Sequence, residues 1–80
     1  MNNQYFEKFY SGALCFYCFF DSENKSKALV EIVRVLDDPR GVAEVKFRRV
    51  FVDDTGNGFF DYLYRTGGMM KVSLKYLYPL

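Results

Sequence analysis

The residues of this sequence best suited to chemistry are two cysteines three positions apart, Cys15 and Cys18. Such a pair binds zinc when a second pair or histidines complete four ligands, and exchanges disulfides when it opens a helix in a βαβ unit. The chain has no histidine and no third cysteine. The pair sits inside Ala13-Leu14-Cys15-Phe16-Tyr17-Cys18-Phe19-Phe20, an apolar run that reads as a strand. Residues three apart on a strand face opposite ways, so the two sulfurs are not expected to meet. Both are read as buried or half-buried structural thiols, which suits a reducing cytosol. The missing histidine also removes the commonest general base and metal ligand, and with it any Ser-His or Cys-His nucleophile.

The carboxylates offer little more. Asp53-x-Thr55-x-Asn57-Gly58 has the opening spacing of an EF-hand calcium loop, yet the position of the bidentate glutamate is Tyr64, and no flanking helices are read. Asp37-Asp38 and Asp53-Asp54 are adjacent pairs in turn-forming surroundings, where solvation keeps carboxylates ordinary. Gly56, Gly58, Gly67 and Gly68 lack the Lys-Ser/Thr and the following helix of a phosphate cradle. An enzyme would need Asp61 or a tyrosine as an unconventional base. The sequence is therefore read as non-enzymatic, with no catalytic residue, cofactor, metal or small-molecule substrate.

Binding chemistry is better represented. Lys46, Arg48 and Arg49 share one segment, and Lys71 and Lys75 another. Placed on one sheet face beside Phe60, Tyr62 or Tyr64, they would combine local positive charge with rings, the combination that holds single-stranded nucleic acid. The plainer reading makes them solvent-facing residues of amphipathic strands.

The elements that must position these groups follow from the pattern. Eighty residues hold one domain, and a core this small needs bulky side chains. Nine Phe and seven Tyr supply them, with a surplus expected at the surface. Eleven basic residues against ten acidic give no global field to attract polyanions or membranes. The longest apolar run, eight residues, is far short of the roughly 20 that span a bilayer, and no signal peptide is read. A cytoplasmic location is expected. Residues 1–11 read as an N-terminal arm or helical turn, from the i,i+4 pairs Tyr5/Phe9 and Phe6/Tyr10, with Gly12 ending it. Strands are expected at 13–20, 28–36, 42–52, 59–65 and 69–74, joined by a polar loop at 21–27 and turns at 37–41, 53–58 and 66–68. In the third strand alternation slips by one near Arg48-Arg49, which predicts a β-bulge or a sharp bend.

Gly12 before the first strand, the Asp21–Lys27 loop, three hairpins, and the ending Val72-Ser73-Leu74-Lys75-Tyr76-Leu77-Tyr78-Pro79 together resemble the SH3-like small barrels, including the Tudor and KOW types. The resemblance is one of topology over residues 11–80. It implies a five-stranded barrel, or a strongly curled antiparallel meander, closing with a 3₁₀ turn and a strand stub. It also implies a peptide- or nucleic-acid-binding module. Composition and topology together point to an interaction module whose partner is another protein or a second copy of the chain. Single-stranded nucleic acid is the alternative. Size alone suits the accessory and inhibitor proteins of bacteria and phages.

Overall fold

The computed structural model describes residues 9–20, 25–36, 41–54 and 56–80, without the side chain of Phe20. Five strands form one antiparallel sheet: β1 (Leu14–Phe20), β2 (Lys25–Leu36), β3 (Val42–Val52), β4 (Met69–Ser73) and β5 (Leu77–Pro79). The spatial order is β4-β3-β2-β1-β5, and the sheet is not closed into a barrel. Alternation dictates which side is buried. Ser26, Ala28, Val30 and Ile32 of β2, and Ala43, Val45 and Phe47 of β3, are all buried. Their register partners Cys15 and Tyr17 of β1 and Leu77 of β5 lie on the same side.

The predicted slip in β3 is a bulge. Val30 pairs with Phe47 and Leu29 with Arg49, so Arg48 is the extra residue. Phe51 is extra in the same way between Val50 and Val52, and Val33 is extra on β2. An insertion of this kind bends its strand and raises the local twist.

The segment read as a fourth strand, Phe59–Arg65, is instead a helix, α1 (Phe59–Thr66). Tyrosine and phenylalanine favour strands, and the period of two fits Phe60, Tyr62 and Tyr64. The residues that α1 buries are Phe60 and Leu63, a spacing of three. The turns read at 53–58 and 66–68 are the two ends of this helix. Asp53 Oδ2 accepts a bond from the Asp61 N–H (3.2 Å), and Asn57 Oδ1 accepts one from the Phe59 N–H (3.2 Å). These oxygens serve amides that have no partner inside the helix. At the other end Gly67 takes a left-handed φ of 72°, and the Gly68 N–H donates to the Leu63 carbonyl at 3.1 Å. That is the six-to-one bond of a glycine-terminated helix.

The strand count stays at five because the tail supplies β5. A 3₁₀ turn, Leu74–Tyr76, swings the chain from the β4 edge to the β1 edge, where Leu77–Pro79 pairs with β1. The expected N-terminal helical turn lies mostly outside the described residues. Phe9 and Tyr10 are not helical, and a tight turn through Ser11 and Gly12 is closed by the Ala13 N–H on the Tyr10 carbonyl (2.9 Å). Of the polar loop read at 21–27 and the turn read at 37–41, residues 21–24 and 37–40 lie outside the described residues. Lys25, Ser26 and Lys27 are not loop but the start of β2, paired with Phe20, Phe19 and Cys18 of β1, with Ser26 buried.

Helix α1 covers the buried side of the sheet. Phe60 packs on Phe47 (ring centroids 4.9 Å apart) and on Tyr17 (5.7 Å). Tyr76 of the 3₁₀ turn meets Tyr17 and Phe19 edge to face. Part of the aromatic surplus is thus core, as bulky residues must be in a domain this small. Among the described residues no helix is long and apolar enough to cross a membrane.

Candidate contact surface

The sheet's second face is covered by none of the described elements. The alternation that buries Cys15, Tyr17 and Leu77 turns Leu14, Phe16, Cys18 and Tyr78 outward. In register across β5, β1, β2 and β3 this gives the row Tyr78, Phe16, Leu29, Arg49. Phe51, displaced by its bulge, brings its ring to 6.0 Å from that of Phe16. Tyr78 is 51% exposed and Phe51 45%. Lys27 places its ammonium 4.6 Å from the centre of the Phe16 ring and 5.9 Å from that of Phe51, and the Arg49 guanidinium lies 5.3 Å from the Phe51 ring.

Charge is concentrated on this face although the chain as a whole is nearly neutral. It carries Lys27, Arg34, Lys46, Arg48, Arg49 and Lys71 against Glu31 and Glu44. Both glutamates are engaged: Glu44 with Arg34 (3.2 Å) and Glu31 with Arg48 (3.5 Å). Exposed pairs of this kind contribute about 1 kcal/mol or less, but they neutralise the acids locally. Among the described residues Lys27, Lys46, Arg49 and Lys71 make no ion pair. The face is therefore a patch of rings bordered by uncompensated cations.

The residues expected to contact a partner divide between two places. Lys46, Arg48 and Arg49 are exposed on the open face. Lys71 joins them, since it pairs across to Glu44. Phe60 is buried in the core, 4% exposed, and is not available for contact. Tyr62 and Tyr64 are exposed but stand on α1, which packs on the opposite side of the sheet. The basic strip therefore has ring neighbours other than the expected ones: Phe16, Phe51 and Tyr78. Phe16 and Tyr78 were within reach of alternation, because each neighbours a buried residue in its strand. Phe51 was not, since its direction depends on the second bulge.

The remaining candidates for chemistry are occupied structurally. Cys15 is buried and Cys18 half-buried on opposite sides of β1, both as free thiols. Burial pushes the Cys15 thiol up, away from the thiolate that a nucleophile needs. Burial, reinforced by nearby Tyr76, does the same to the Tyr17 hydroxyl. Asp53 caps α1, and Asp54 accepts from the Lys25 N–H (3.1 Å) while its own N–H donates to Ser26 Oγ (3.0 Å). A helix does follow the calcium-like segment, contrary to expectation, but Tyr64 still stands where that loop needs a carboxylate. Compared with known protein families, curated proteins and solved structures, the chain matches none of them.

Proposed function

We propose that this chain is a non-enzymatic interaction module and that the open face of its sheet contacts an anionic partner. The observation that carries the reading is the meeting of three outward rings, Phe16, Phe51 and Tyr78, with uncompensated Lys27, Lys46, Arg49 and Lys71 on one face. Contact surfaces concentrate aromatic side chains and arginine in this way. A face of this charge favours a negatively charged partner and rejects a basic one. Exposed rings alone, as composition suggested, would fit any protein surface, whereas the charge of this face narrows the choice. The fold is read as an SH3-like sheet that stops short of closure. The order β4-β3-β2-β1-β5, the bulges and the 3₁₀ turn before β5 support that reading.

Retention on immobilised heparin, a generic polyanion, tests the charge argument. The double variant Lys27→Glu/Arg49→Glu should elute at clearly lower salt than the parent. Arg65→Glu/Lys75→Glu changes the net charge equally but sits on α1 and the 3₁₀ turn, and should elute almost unchanged. Equal losses from the two pairs would mean that net charge alone governs retention, and the reading would fail.

A further inference from the structure

The geometry points to single-stranded nucleic acid as the partner of the open face, an inference that rests on the reading just given. Two features distinguish this ligand from an acidic peptide. The first is the ring arrangement. Tyr78 and Phe16 are register partners on adjacent strands, and the Phe51 ring stands 6.0 Å beyond Phe16, so rings follow one another across the sheet. Flat bases stack on such rings whatever their identity, while carboxylates of a peptide gain nothing from a ring face, whose quadrupole is negative. The second is the placement of the cations. Lys27 and Arg49 lie against the very rings that bases would cover. A cation at an exposed ring gains less than a stacked base does, so a base displaces it. The displaced ammonium or guanidinium then stands beside the strand's phosphates, where charge is needed. Duplex DNA hides its base faces and offers phosphates only, so it cannot use the rings.

Fluorescence anisotropy with a short labelled oligothymidine measures the interaction, with its RNA counterpart, a matching duplex and polyglutamate as competitors. The single strand should bind with log K falling against log salt at a slope of about −3, four uncompensated cations each contributing about −0.7. Phe16→Leu and Phe51→Leu keep the face apolar and leave its charge unchanged. Each should weaken oligothymidine by about 5-fold or more, the factor expected for losing one stacked base. Unchanged affinity in both ring variants, or equal binding of the duplex, would overturn the inference while the heparin result leaves the anionic-face reading standing. Stronger competition by polyglutamate than by RNA would overturn it in favour of an acidic protein.

Discussion

Replacing Phe60, Tyr62 and Tyr64 one at a time separates the helix from the strand that the same residues suggest. On a strand the three share a face and should behave alike. On α1 Tyr62 points away from Phe60, and Tyr64, one turn beyond Phe60, stays outside the core: Phe60 is 4% exposed, Tyr62 57% and Tyr64 47%. Phe60 sits between Phe47 and Tyr17, so Phe60→Ala should cost about 3–5 kcal/mol. A domain of this size has a total stability of about 4–12 kcal/mol, so that variant stands near the limit of folding. Phe60→Leu keeps most of the apolar volume and should cost about 1–1.5 kcal/mol. At roughly 4–8 °C per kcal/mol, its melting temperature should fall by about 4–12 °C. Tyr62→Ala and Tyr64→Ala should stay within about 0.5 kcal/mol, helped by the better helix propensity of alanine. Urea unfolding followed by circular dichroism measures all four. Tyrosine variants as damaging as Phe60→Leu would refute the helical assignment.

Three further outcomes are expected. Ser26→Ala strips the Asp54 N–H of its acceptor and should cost about 1–3 kcal/mol by urea unfolding. Gly67→Ala forces a side chain into left-handed φ and should cost about 1–2 kcal/mol, with Gly67→Asn costing less than Gly67→Ala in the same assay. Stability should fall as pH rises past about 9, because unfolded Cys15 ionises there while the buried thiol holds its proton, and the folded state then binds more protons. Tyr17 adds to the fall above about pH 10. Urea midpoints of Cys15→Ala should therefore lose the first part of the decline and keep the second.

The strands were legible where one side is buried and the other wet. Ala43, Val45 and Phe47 against Glu44, Lys46 and Arg48 set both the extent of β3 and its bulge at Arg48. Glycine also marked the right places: Gly67 does reverse the chain with positive φ, but it ends a helix and not a strand. What failed was the choice of period over Phe59–Arg65. In seven residues, aromatics at every second position satisfy a strand, while the helix is decided by tertiary burial of Phe60 and Leu63 and by the Asp53 cap eight positions before Asp61. The site was half legible for the same reason. Lys46 and Arg49 of β3 and Lys71 of β4 lie on segments that alternation reads, but Lys27 falls in a stretch that reads as loop. The rings come from β1, β5 and a second bulge, and only the register brings them together.

The most direct test of the open face as the contact surface is an amide-resolved NMR titration of the labelled protein with oligothymidine. Shifts should concentrate on Phe16, Leu29, Arg49, Phe51 and Tyr78, leaving Phe59–Thr66 nearly still. Shifts centred on Tyr62 and Tyr64 instead would place the contact on the helix and contradict the account.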